Sequence, residues 1–484
     1  MKRRDFVRTT AAASMAPLVV PRHVLGGAGF VAPSDTVSVG IIGAGGMGAS
    51  NAAPLAMSDR VRITAIADVD MGHVQGAVQR RLGSDNARGR AAGAALEDAY
   101  GSAARFQDYR ELLAEVDDLD AVVVATPDHV HAHAVLHAMR RGLHVYAQKP
   151  LTYTVAESRR LAAAAASTGL VTQMGNQGHS GDDGRRVVEV VRAGVLGKVH
   201  EIQSWTNRPN GWWPQGVPMP DPAPAPDGVA WDVYLGPNEM QPYRPGIHPF
   251  GWRGFVGFGV GSLGDMGAHL VDFPIWALDL ARPSRVETRH TPWGGGDDRA
   301  TYPLATVTTY RFGGAGPMAG AADPGGEIDM TWYDGGLLPP TPVQAPDGFE
   351  LDPNGGVIFV GERGLLIHET YGSNPRFLSN EPGTDLEAEA ADVPRTLTRF
   401  DDDVGIHGGV HERNWIRAIL GEEEASCPFE YGAHLNEIML LGVAAMSAGR
   451  PLEVAPDGTV TNHSDGASLL TRSYRDGWQL PDID

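Results

Sequence analysis

Val37-Ser-Val-Gly-Ile-Ile-Gly43-Ala-Gly45-Gly-Met-Gly48 decides the fold. A buried-strand pattern runs into three glycines spaced G-x-G-x-x-G, and a second apolar run, Val61-Arg-Ile-Thr-Ala-Ile-Ala67, ends at Asp68. That acid lies 20 positions after the last glycine. The first glycine permits a tight turn, the second lets backbone approach a pyrophosphate, and the third lets helix pack on strand. The N–H groups opening the following helix, with Gly46 and Met47, then face phosphate. Asp68 suits a ribose diol and repels a 2′-phosphate, so the expected cofactor is NAD rather than NADP.

The alternation continues. Asp120-Ala-Val-Val-Val-Ala-Thr126-Pro127 reads as a buried parallel strand, His129 to Arg141 as a helix closed by Gly142, and His144-Val-Tyr-Ala147 as a strand entering Gln148-Lys149-Pro150. Glu157 to Ser167 reads as a helix and Leu170 to Met174 as another strand. These elements predict a doubly wound parallel sheet, a Rossmann domain over residues 34–176. Residues 177–484 change character. A helix near Arg185 to Ala193 is followed by widely spaced strands at His200–Trp205, Ala305–Phe312 and Gly356–Val360, with long Gly-, Pro- and Trp-rich loops. That pattern predicts an α+β domain with a mostly antiparallel, open sheet, closed by helices at Val410–Leu420 and Ala433–Ala448. Gly313–Gly326 and Glu381–Asp403 read as surface insertions.

The net charge of −20 argues against nucleic acid or anionic membrane as partners. No run is long and apolar enough for a bilayer span, so no membrane insertion is expected. A single cysteine, Cys427, excludes an intramolecular disulfide and a cysteine metal site. Met1-Lys-Arg3-Arg4-Asp-Phe6 precedes a short, weakly apolar segment, Thr9 to Val20, and resembles a twin-arginine export signal over residues 1–33. Twin-arginine export machinery is therefore an expected partner, with a periplasmic or extracellular destination.

Gly43-x-Gly45-x-x-Gly48, Asp68, Ala125-Thr126-Pro127-x-x-x-His131, Gln148-Lys149-Pro150, Gly197-Lys198-Val199 and Asp265-x-Gly267-x-His269, in this order, resemble the Gfo/Idh/MocA oxidoreductases. The resemblance implies NAD(P)-dependent redox chemistry on sugars and polyols, and a C-terminal sheet that commonly mediates homo-oligomerisation. It places Thr126, Pro127, His131 and Gln148 beside the cofactor. It makes Lys149 the ligand of the reacting oxygen, His269 the proton acceptor and Asp265 the partner of that imidazole or a substrate ligand. Gln148 departs from the family's glutamate and lacks its charge.

His129, His131, His133 and His137 share a helix but lack the carboxylate and thiolate companions of a metal site, so no metal is expected and all but His131 are read as surface decoration. Tryptophans crowd the stretch from Trp205 to Trp276, where indole faces suit sugar rings. Trp205, Asn207, Arg208, His248 and Arg253 are the substrate candidates. The expected activity is an exported NAD-dependent oxidoreductase transferring hydride at a ring hydroxyl carbon of a sugar, glycoside or cyclic polyol. The rival readings are a redox-assisted glycosidase that recycles bound NAD and a non-enzymatic sugar-binding protein.

Overall fold

A computed structural model describes residues 35–483, apart from 209, 294–298, 315–325 and 401–405. The twin-arginine segment and most of the Gly313–Gly326 insertion lie outside the described residues.

Six parallel strands form the first sheet: β1 Val37–Ile42, β2 Val61–Ala67, β3 Ala104–Phe106, β4 Ala121–Val124, β5 His144–Ala147 and β6 Thr172–Met174. Their order is β3-β2-β1-β4-β5-β6. Every residue of β1 and β4 is buried, as expected of central strands covered by helices on both faces. The chain leaves β1 in one direction and β4 in the other, so a crevice opens at their carboxyl ends. Gly43 sits in that crevice at φ +83°, where a Cβ would lie 2.6 Å from the Ala125 carbonyl oxygen. Only glycine fits.

The second sheet has eight strands: β7 Val199–Thr206, β8 Arg285–His290, β9 Thr306–Phe312, β10 Ile328–Tyr333, β11 Gly355–Gly361, β12 Gly364–Glu369, β13 Arg376–Ser379 and β14 Leu452–Glu453. They run β13-β12-β11-β7-β10-β9-β8-β14, all antiparallel except for the β7–β10 pair. In β9 and β10 buried residues alternate with more exposed ones, the period of a sheet with one face in the core. The core face carries Ile202, Tyr310, Met330 and Phe359 against Leu263 and Met439 of the helices Gly261–Leu270 and Phe429–Ala448. The other face carries Arg285, Glu287, Arg289, Thr309 and Arg311.

Two expectations are corrected. Glu381–Asp403 is not merely a surface insertion, because it includes the helix Leu386–Asp392, whose Leu386 and Ala390 join the core. His129 and His133 do not decorate a surface: each is 1% exposed. The helix Asp128–Arg140 is packed between earlier and later segments of the chain, and these two histidines meet polar groups on both. His129 Nε2 lies 2.9 Å from Tyr234 O, and His133 Nδ1 lies 2.5 Å from the Tyr109 hydroxyl. Among the described residues no group of three or more His, Cys, Asp and Glu could hold a metal ion.

Candidate active site

A cavity of about 680 Å³ follows the crevice at the ends of β1 and β4 and continues under the second domain. Its first half is lined by Gly43, Gly45, Gly46, Met47 and Asp68, with Thr126, Pro127 and Gln148 opposite. Asp68 Oδ2 accepts from Gly45 N at 2.9 Å and Oδ1 from Asp70 N at 3.0 Å. Burial lifts its carboxyl to about 6, against these hydrogen bonds. The helix Gly46–Ala56 has no side-chain cap, so its amino end is left to other acceptors. These residues fit a dinucleotide: a glycine turn, a helix whose N-cap residue Gly45 has no side chain to cap it, and a carboxylate beyond the second strand. His73 was not foreseen here, and its Nε2 accepts from Gly46 N at 3.1 Å.

Gly48 and His131 act behind the lining. A Cβ at Gly48 would run into the Gly43 carbonyl, so Gly48 allows the helix to pack on the turn. His131 is corrected from a cofactor neighbour to a buried clamp. Its ring nitrogens lie 2.8 Å from both Thr126 O and Pro150 O, tying together the loops that follow β4 and β5.

Lys149 leaves β5 in a loop held from the other side by Asn436, whose Oδ1 accepts from Leu151 N at 3.1 Å. Lys149 Nζ donates to Asp265 Oδ1 and to Asp265 O, each at 2.9 Å. Asp265 lies in the helix Gly261–Leu270, all of whose residues are buried. Arg253 Nε approaches Asp265 Oδ1 at 3.2 Å, and a guanidinium nitrogen of Arg208 comes within 3.6 Å of Oδ2. Though burial opposes it, these cations hold the Asp265 carboxyl well below the usual range, and burial lowers the Lys149 ammonium. His269 lines the same cavity, with its ring centroid 4.9 Å from that of Tyr371. Its Nδ1 is buried without a hydrogen-bond partner among the described residues. Burial, then Lys149, keeps the imidazole far below its ordinary pKa and therefore neutral.

Asp265 therefore does not orient His269 as expected. The i, i+4 spacing places both on one helix, but a carboxylate beside an ammonium and two guanidiniums forms charge-assisted pairs rather than bonding a neutral ring. Among the described residues no hydrogen bond joins the two.

The substrate candidates divide. Arg208, His248 and Arg253 line the cavity, whereas Trp205 and Asn207 do not. Side-chain parity along β7 puts Trp205 on the sheet face opposite Ile202, under Leu351 and Leu365, with its indole N–H donated to Asp352 O at 2.7 Å. Asn207 is turned to Asn210, accepting from it at 3.1 Å. The aromatic lining comes instead from Trp212, Trp213 and Trp252. Gln177, Tyr371, His407 and Glu412 also line the cavity and were missed, since no local motif marks them. Tyr371 sits at φ +67°, a strained backbone for a non-glycine residue.

Comparisons with known proteins agree with this architecture. A family description, oxidoreductase family with NAD-binding Rossmann fold, matches residues 37–176, and the C-terminal alpha/beta domain of that family matches 182–293. A glycosyl hydrolase family 109 protein of Shewanella pealeana is 29% identical over 213 residues, 41% of this chain and 44% of that protein. The chain spans less than half the length of the curated relatives it matches. The WlbA dehydrogenase of Bordetella pertussis, solved with NADH and UDP-GlcNAcA, shares the fold at a TM-score of 0.56 and 16% identity, over 87% of this chain and 98% of its own. GenD2 from gentamicin A biosynthesis, solved with NAD, superposes at a TM-score of 0.53 and 19% identity, over 90% and 99% of the two chains. With its glycine turn, Asp68, Lys149 and Asp265–His269 helix around one cavity, this chain belongs to the Gfo/Idh/MocA oxidoreductase family, and its first domain is that family's NAD-binding Rossmann domain.

Proposed function

We propose that this protein oxidises a ring hydroxyl carbon of a sugar, glycoside or cyclic polyol with NAD. The observation that carries the reading is one continuous cavity lined by the glycine turn and Asp68 at one end and by Lys149, Asp265 and His269 at the other. The bound nicotinamide supplies the hydride acceptor. The remaining chemistry belongs to this chain. His269, a neutral imidazole, takes the hydroxyl proton. Lys149 stabilises negative charge on the oxygen, and Asp265 fixes the ammonium in place. Mass spectrometry of protein purified without added cofactor, followed by NADH absorbance across a sugar and polyol panel, tests the reading. Absence of both NAD reduction and hydrogen exchange across the panel would overturn it. Asp68→Ala should erode a preference for NAD over NADP.

One feature favours a second reading, in which NAD is recycled during glycoside cleavage. The second domain crosses the end of β2: Ala230 N donates to Val69 O at 2.9 Å, and Gln107 Nε2 reaches both Val69 O and Gly228 O. This crossing lies beside Asp68, the expected ribose ligand, and suits a retained cofactor. Cleavage of a glycoside without net NADH would select this reading.

Two further proposals concern the whole molecule. Export depends on Arg3 and Arg4, and changing both to lysine should block the twin-arginine route, since guanidinium and ammonium are not equivalent. Self-association uses the open face of the second sheet around Glu287 and Arg311, and a charge reversal there should shift the sedimentation coefficient.

A further inference from the structure

The substrate end of the cavity has more positive charge than its own carboxylate can match. Lys149, Arg208 and Arg253 surround the single ionised carboxyl of Asp265. The other acids nearby do not balance them. Burial holds the Asp128 carboxyl up to about 8, so it is protonated at neutral pH. Burial also raises the carboxyls of Glu412, which accepts from Asn51 Nδ2 at 2.6 Å, and of Asp68, which accepts from the glycine turn.

The guanidiniums are also held ready. Arg208 lies 3.6 Å from the Trp212 ring centroid, and its backbone is fixed by Ser262 Oγ, which donates to Arg208 O at 3.0 Å. Arg253 lies 4.2 Å from the Trp252 ring and 4.4 Å from that of Phe250. These cation–π contacts hold the guanidiniums in place without using their N–H donors. Arg208 makes only the 3.6 Å approach to Asp265, and no side-chain hydrogen bond leaves it among the described residues. Arg253 uses Nε on Asp265 and Nη1 on Phe250 O, leaving Nη2 without a partner among them.

We propose that the physiological substrate is a sugar bearing a carboxylate, a uronate or sugar acid, whose carboxylate is gripped by Arg208 with help from Arg253. This rests on the oxidoreductase reading above and names its substrate class. A planar anion matches the guanidinium fork and compensates the excess charge. It also helps the chemistry, because Lys149 and Arg208 both disfavour a proton on His269 and a bound anion offsets them.

Calorimetry of NAD-loaded protein with glucuronate against glucose, and galacturonate against galactose, measures this without turnover. A uronate should bind more tightly than its neutral partner, with an advantage that shrinks as salt rises. Arg208→Gln should reduce the uronate-to-hexose affinity ratio by roughly 10- to 100-fold, the worth of hydrogen bonds to a charged group. Arg208→Lys keeps the charge without the fork and should recover only part of the ratio, provided its melting temperature matches wild type. Equal binding of neutral and acidic sugars, binding of no uronate, or an unchanged ratio in both variants overturns the proposal. A uronate that binds but never reduces NAD or exchanges hydrogen overturns the oxidoreductase reading alone. A neutral sugar that is oxidised while uronates are refused overturns the carboxylate alone.

Discussion

His248 Nε2 lies 2.9 Å from Asp70 Oδ2, joining the second domain to the Rossmann domain two residues beyond Asp68. His248 also lies edge-on to His73, whose ring faces the glycine turn, with centroids 5.9 Å apart. Both rings line the cavity beside Asp68, the expected ribose ligand, so the contact ties the second domain over that end.

His248→Ala should therefore speed NAD loss. One partly exposed, charge-assisted hydrogen bond is worth about 1 kcal/mol after screening, so the dissociation rate should rise several-fold. Stopped-flow displacement of NADH, read by its fluorescence, measures the rate directly. An unchanged rate would show that residues 228–248 do not retain the cofactor.

The Lys149–Asp265 pair makes a separate claim. Asp265→Asn leaves an ammonium and two guanidiniums crowded without their carboxylate, and breaking a buried pair costs about 3–5 kcal/mol. The melting temperature should drop markedly. Hydride transfer should also slow, because Lys149 loses the charge of its partner, keeping its bond to the Asp265 backbone carbonyl, and His269 loses a neighbouring anion. His269→Ala should slow the same step by on the order of 10²–10⁴-fold, the usual worth of a general base. NAD affinity should change little in His269→Ala, and single-turnover reduction separates binding from chemistry. A near wild-type rate in His269→Ala would remove it from the mechanism.

The Rossmann half could be read from the chain because its signals are local. A strand, a glycine turn and an acid lie within thirty-two residues of one another, from Val37 to Asp68. The cavity wall is different. Tyr371, His407 and Glu412 come from segments over 200 residues after Lys149, and only tertiary packing brings them to it. Trp205 shows the opposite failure. Aromatic composition suggested a sugar platform, but side-chain parity along β7 decides which way the indole faces. The role of Asp265 was half legible: its helix and spacing from His269 were visible, its bond to Lys149 was not.

Gln148 illustrates a local departure with a structural reason. Its Nε2 donates to Asn51 Oδ1 at 3.0 Å, while Asn51 Nδ2 donates to Glu412 Oε1 at 2.6 Å. Glu412 is buried, and its carboxyl is raised by that burial. Gln148→Glu would set a carboxylate against the Asn51 carbonyl and place a second buried acid near Glu412. Stability should fall by about 1–3 kcal/mol at neutral pH, the cost of a buried polar group left without its partner. The introduced acid would have a raised pKa, so the loss should diminish as pH falls toward the ordinary carboxylate range. Urea denaturation at pH 5 and pH 7.5 checks both parts, and a pH-independent difference would argue against ionisation at position 148.

Asp128 offers the clearest titration. It opens the helix Asp128–Arg140, accepts from Val260 N at 3.1 Å through Oδ2, and has a buried Oδ1 without a partner among the described residues. Burial lifts its carboxyl to about 8, against Arg253 and the Val260 hydrogen bond. In the unfolded chain an aspartate titrates near 3.9. Between those values the folded protein holds a proton that the unfolded chain has released, so this group's contribution to stability falls as pH rises from about 4 to about 8. Above that range the carboxylate is ionised in both states and the slope from this group ends. Asp128→Asn keeps an acceptor for Val260 N but cannot ionise, so it should remove this component of the pH dependence. Melting temperatures of wild type and Asp128→Asn, measured from pH 5 to pH 9, should diverge progressively toward alkaline pH, with the variant relatively more stable there. Parallel curves would mean that Asp128 is ionised throughout, its charge matched by Arg253 and Lys149, and the excess positive charge at the substrate end would then be smaller by one.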